Sequence, residues 1–174
     1  PSTVKVIEEY AFYGCSNLAT VAFPSNSVLE TIGSSAFQST ALTAITVPST
    51  VKKIDQNAFN GCSKLATVAF PSNSVLETIG SFAFSFNTAL TAITVPSTVK
   101  LIDQHAFRSC SKLATVTFPS NSVLETIGSN AFFGTALTAI TVPSTVKKID
   151  QYAFQYCRKL ATVAFPSNSV LETI

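Results

Sequence analysis

The hexapeptide LATVAF, Leu18–Phe23, runs directly into Pro24-Ser25, and the same combination returns along the whole chain. It reads LTAITV from Leu42, LATVAF from Leu65, LTAITV from Leu90, LATVTF from Leu113, LTAITV from Leu137 and LATVAF from Leu160, each followed by Pro-Ser. Leu18, Val21 and Phe23 fall at i, i+3 and i+5, which places Val21 and Phe23 on one face of an extended segment and Thr20 and Ala22 on the other. A β-branched tract that stops at proline is a short strand, because the ring cannot donate the next ladder hydrogen bond. Seven such strands predict a solenoid: one parallel β-sheet with a short strand per repeat, each coil leaning on the next for its interior.

The eight prolines divide the chain into repeats 1–23, 24–47, 48–70, 71–95, 96–118, 119–142 and 143–165, with a partial repeat 166–174, all read as a single solenoid domain. Two unit types alternate, PSTVKxIxxxAFxxCxxLATVxF and PSNSVLETIGSxAF followed by LTAITV, so a pair of units is the element duplicated. After the proline, Val51 and Ile54 are expected to point inward, and Ala58, Phe59 and Cys62 have spacings that suit a short 3₁₀ or helical turn on the convex side. Asp55, Asp103 and Asp150 stand where they would cap that turn. Gly33, Gly80 and Gly128 replace them in the other unit type, where a positive φ is expected. No polar capping unit closes either end, which suggests a fragment of a longer array or copies stacked end to end.

Composition narrows the function classes. A content of 47% hydrophobic and 11% charged residues argues against disorder. Pro, Ser, Thr or Asn interrupts every apolar run before it reaches membrane-spanning length. The net charge of +2 is spread along the chain, without the basic cluster that nucleic acid requires. The chain opens at Pro1 without a basic and apolar leader, so a secretion signal is expected to lie outside it.

The run Leu18-x-x-Val21-x-Phe23-x-x-Asn26 follows the leucine-rich repeat pattern, and its asparagine column continues as Thr50, Asn73, Thr98, Asn121, Thr145 and Asn168. Together with the proline after the strand, the Ile-x-x-x-Ala-Phe turn and the Cys-x-x-Leu lead-in, it resembles the BspA-like class of leucine-rich repeats, a bacterial and protist cell-surface type. The resemblance implies an extracellular or surface-attached, non-catalytic module for adhesion, host contact or aggregation, taking a protein or glycan ligand or associating with itself. It implies no cofactor.

The residues themselves offer three candidate surfaces. Aligning the isoleucines puts Lys5, Glu30, Lys52, Glu77, Lys100, Glu125, Lys147 and Glu172 in one column whose sign alternates at every coil, read as a structural charge ladder that specifies register. Thr20, Thr46, Thr67, Thr94, Thr115, Thr117, Thr141 and Thr162 alternate with alanine on the outward sheet face, a surface suited to another sheet, an extended polymer or, as a distant alternative, ice. Variation between repeats concentrates at the Ala-Phe turn, in Tyr10, Tyr13, Phe82, Phe86, His105, Arg108, Phe133, Tyr152 and Tyr156, a candidate aromatic stripe for protein or glycan contact.

Catalysis is disfavoured. His105 is the only histidine, and the carboxylates fall in structural columns, so no nucleophile with an oriented base and no acid/base pair emerges. Cys15, Cys62, Cys110 and Cys157 recur every second coil, about 10 Å apart, which is beyond disulfide reach; they are expected to be buried free thiols. No spacing suggests a metal site.

Overall fold

Stacking begins at the isoleucines. In the computed structural model, which describes residues 1–174, the strands in chain order are β1 (Val6–Ile7), β2 (Thr31–Ile32), β3 (Ala44–Thr46), β4 (Lys53–Ile54), β5 (Thr67–Ala69), β6 (Thr78–Ile79), β7 (Ala92–Thr94), β8 (Leu101–Ile102), β9 (Thr115–Thr117), β10 (Thr126–Ile127), β11 (Ala139–Thr141), β12 (Lys148–Ile149) and β13 (Thr162–Ala164). One strand from each coil, in the order β1-β2-β4-β6-β8-β10-β12, forms a continuous seven-stranded parallel sheet. Its register places isoleucine on isoleucine, from Ile7↔Ile32 and Ile32↔Ile54 to Ile127↔Ile149. The chain is a parallel β-solenoid of about seven turns, and it contains no helix.

The proline-terminated segments behave differently from the sequence expectation. β3 pairs with β5, β7 with β9 and β11 with β13 as three separate parallel pairs, and Leu18–Phe23 forms no strand. The continuous sheet is therefore built from the short Ile segments, not from the LATVAF and LTAITV tracts.

The cause is that two kinds of joint alternate along the axis. Where coil 48–70 meets coil 24–47, the three-residue strands pair, Lys52 reaches back to Glu30, and the Thr50 hydroxyl donates to the carbonyls of Leu29 (2.6 Å) and Ser27 (3.3 Å). The joints between 71–95 and 96–118 and between 119–142 and 143–165 repeat this set, with Thr98 on Leu76 and Thr145 on Leu124. The other joints lack the three-residue pairing and instead bring backbones together at glycine. A Cβ on Gly80 would lie 2.7 Å from the Ile54 carbonyl oxygen, and one on Gly33 would lie 2.5 Å from that of Ile7. These glycines do not have positive φ; they are needed for close approach.

Positive φ lies in the turn. Every coil has two such residues, one before Ala-Phe (Tyr10, Ser35, Asn57, Phe82, His105, Asn130, Tyr152) and one four residues later (Gly14, Ser39, Gly61, Phe86, Ser109, Gly134, Tyr156). A helical turn needs consecutive right-handed residues, so this alternation excludes the 3₁₀ or helical turn expected. It also directs the amides. In the third coil the N–H groups of Asn57, Phe59 and Gly61 donate to Ser81, Ala83 and Ser85 of the next coil, while those of Ala58, Asn60 and Cys62 close turns within their own. Without a helix the aspartates cap nothing: Asp55 and Asp150 pair with Lys53 and Lys148 at 2.6 and 2.7 Å, and Asp103 accepts from the Gln104 N–H.

The core is one continuous cluster along the axis. Its centre is a column of seven phenylalanines, Phe12, Phe37, Phe59, Phe84, Phe107, Phe132 and Phe154, whose rings lie 5.1–5.5 Å apart and within 7° of parallel. The five central rings are fully buried.

Two substitutions separate the backbone roles of the joint and the turn. Ser109→Gly relieves a left-handed residue and is expected to stabilise the chain by about 0.5–1 kcal/mol. Gly80→Ala forces two coils apart and should cost about 1–3 kcal/mol, both read from urea-unfolding midpoints.

Candidate interaction surfaces

On the sheet side, strand pairing sets Thr against Ala: Ala44↔Thr67, Thr46↔Ala69, Ala92↔Thr115, Ala139↔Thr162 and Thr141↔Ala164. Only Thr94↔Thr117 pairs two threonines. The inward partners are Ile45, Val68, Ile93, Val116 and Ile140, so the lattice of Thr20, Thr46, Thr67, Thr94, Thr115, Thr117, Thr141 and Thr162 faces solvent. An open groove of ≈ 630 Å³ crosses its first three coils, bounded by Phe23, Pro24 and Pro48. Small hydroxyls and methyls offer contact area there without an aromatic or charged anchor.

In the charge column the lysines reach backward. Lys52, Lys100 and Lys147 bond Glu30, Glu77 and Glu125 of the preceding coil at 2.8, 3.1 and 3.1 Å, all with exposed side chains. The Lys52 ammonium, by hydrogen bond and by charge, holds the Glu30 carboxyl below its ordinary value, and Glu30 raises Lys52 in return. These pairs occur only at the strand-paired joints. Lys5 and Glu172, at the two ends of the column, enter no ion pair.

The turn side carries the aromatic residues. Tyr10, Tyr13, Phe86, Tyr152 and Tyr156 are exposed, whereas Phe82, His105, Arg108 and Phe133 are half-buried between coils. Tyr10 meets Tyr13 edge-on at 5.7 Å, and Phe82 stacks on His105 at 4.4 Å. Arg108 lies over the Phe133 ring at 5.0 Å, Phe133 meets Tyr156 edge-on at 5.1 Å, and Arg158 sits over Tyr156 at 5.8 Å. Burial, then the charge of Arg108, pushes the His105 imidazole below its ordinary value.

Just inside the turn, three residues after each phenylalanine of the column, runs a polar line of which only the cysteines stand out by recurrence in the sequence: Cys15, Thr40, Cys62, Asn87, Cys110, Thr135 and Cys157. The Cys62 thiol lies 3.0 Å from the Phe37 carbonyl oxygen and 3.2 Å from the Thr40 hydroxyl; Cys157 repeats this with Phe132 and Thr135, and Cys110 bonds the Phe84 carbonyl. Burial raises Cys62 and pushes Cys110 up to about 12. All four cysteines are free, but Cys15, in coil 1–23, is exposed and not buried as expected. Asn87, in the 25-residue coil, is fully buried with both amide atoms unpartnered. A signal for this line existed in the sequence: Thr40, Asn87 and Thr135 occupy the cysteine position of the alternate units.

Fold and surfaces define a leucine-rich-repeat solenoid. The chain belongs to the BspA-type leucine-rich repeat family, whose model matches residues 1–100 and 77–174 with six copies. Repeats of this family are generally a non-enzymatic scaffold for binding proteins. Among solved structures, a leucine-rich repeat protein from Bacteroides ovatus is similar over 99% of this chain and 52% of its own, with 26% identity and a TM-score of 0.79. The pneumococcal vaccine antigen PcpA is similar over 93% and 44%, with 27% identity and a TM-score of 0.78. A leucine-rich cell surface protein from Faecalibacterium prausnitzii is similar over 84% and 46%, with 30% identity and a TM-score of 0.57. The chain thus spans about half the length of these proteins. No curated protein matches it in sequence. No helix is long and apolar enough to cross a membrane.

Thiol accessibility gives a direct check on the interior line. Iodoacetamide at pH 8 should modify Cys15 alone in the folded chain and all four cysteines in urea, as counted by intact mass. Native modification of Cys62 or Cys110 would contradict the placement.

Proposed function

We propose that the chain is a non-catalytic interaction module of an extracellular, cell-surface adhesion protein, and that the turn side is its binding face. The observation that carries this reading is the state of the aromatic turn residues. Tyr10, Phe86, Tyr152 and Tyr156 hold left-handed backbone conformations that cost about 1–3 kcal/mol each, Tyr10 and Tyr152 where Ser35 and Asn57 serve other coils, Phe86 and Tyr156 where Gly14, Ser39 and Gly61 do. Phe86, in an interior coil, leaves 47% of its surface exposed, so the core gains little from it. Strain retained in exposed aromatic side chains supports contact with a partner, since such residues dominate interface energetics.

Family membership and similarity to a cell surface protein and a vaccine antigen support the location. The absence of an oriented nucleophile or acid/base pair in the sequence supports a binding role over a catalytic one.

Immobilised extracellular-matrix proteins should capture the chain, and a Tyr10→Ser/Tyr13→Ser/Tyr152→Ser/Tyr156→Ser variant should bind roughly tenfold more weakly or worse. Binding unchanged in that variant would move the site to the sheet face. Sedimentation that shifts with concentration, without capture by any matrix protein, would favour self-assembly instead.

A further inference from the structure

The charges of the chain are segregated in a way that its small net charge conceals. All nine carboxylates lie between the proline and the start of the turn, among six lysines of the same flank. The remaining five cations, Lys64, Arg108, Lys112, Arg158 and Lys159, lie between Ala-Phe and the next strand, and no coil has a carboxylate in that segment. None of the five enters a salt bridge. Lys64, Lys112 and Lys159 are exposed and occupy the same position in every second coil, which sets them about 10 Å apart along the axis. Beside them, Arg108 and Arg158 bracket the rings of Phe133 and Tyr156.

We propose that this flank binds an acidic polysaccharide laid along the solenoid axis, with the lysines pairing its sulfate or carboxylate groups and the aromatic rings covering its sugar faces. The inference rests on the reading of the turn side as the binding face and names its ligand class. A row of unneutralised cations at a fixed period attracts a polyanion whose charge also repeats at a fixed period, as in an alternating polysaccharide. An acidic peptide has no such regularity. Exposed aromatic side chains such as Tyr156 beside the cations suit the C–H faces of pyranose rings, and the groove that would suit a compact ligand lies on the sheet side.

Heparin and dextran sulfate are the probes. The chain should bind both, lose affinity steeply as NaCl is raised, and ignore neutral dextran. A Lys64→Gln/Lys112→Gln/Arg158→Gln/Lys159→Gln variant should bind roughly tenfold more weakly or worse. A Lys5→Gln/Lys53→Gln/Lys100→Gln/Lys148→Gln variant removes as much charge from the other flank and should stay within about twofold of the parent. Unfolding midpoints of both variants establish that they are folded. Equal loss in the two variants, no binding by the parent at low salt, or competition by polyglutamate as effective as by dextran sulfate would each overturn the proposal. Matrix-protein capture measured in parallel separates the two readings: if it persists while polysaccharide binding fails, the adhesion module stands and its ligand class does not.

Discussion

Stacked phenylalanine rings hold the coils at one fixed spacing, and the rest of the molecule conforms to that spacing. Each ring in the column is preceded by alanine, and the pairing is physical: the Phe59 amide donates to the Ala83 carbonyl at 2.8 Å and the Phe107 amide to the Ala131 carbonyl at 2.7 Å, an approach that a larger neighbour would obstruct. Ring on ring and amide on carbonyl must coincide at every step. Residues of the phenylalanine column and the isoleucine register are therefore confined to one or two identities, while side chains of the turn are free to differ. The offset parallel geometry is also the favourable one for aromatic pairs, so the column adds to burial.

That constraint explains what the sequence disclosed. Residues fixed by stacking repeat, so the isoleucine register, the phenylalanine positions and the two-sided proline strand could be read from periodicity alone. Conformation without a residue signature could not. Tyr10, Phe82 and His105 share a left-handed backbone with Ser35 and Asn57, and nothing in a list of tyrosine, phenylalanine and histidine announces it. Gly33 and Gly80 misled for the converse reason: glycine signals either a left-handed residue or a close approach, and here it is the second. The asparagine column was likewise half right. Thr50, Thr98 and Thr145 tie their coil to the one before, whereas Asn26, Asn73 and Asn121 are exposed. Of the candidate surfaces, the threonine lattice and the charge column followed from alternation. The contact of Arg108 with Phe133 required knowing which coils lie side by side.

The surface divides along the same line. The strip of paired Lys and Glu recurs nearly unchanged, as expected for groups answering to a neighbour in the same chain. The turn is where a coil has most freedom, and there the chain places its arginines, its lone histidine and its four tyrosines. The turn side chains change from coil to coil, and with them contacts such as Arg108 on Phe133, while the phenylalanine column and the isoleucine register stay the same.

The alternation of two joints has a mechanical consequence. Joints that carry a three-residue ladder, an ion pair and a threonine clasp resist separation, and the glycine-backed joints yield first. Drawn apart along its axis, the array should come undone in double coils, 24–70, 71–118 and 119–165, each releasing 47 or 48 residues of slack. That is roughly 160 Å of extended chain per step, released in stages while the remaining coils stay folded.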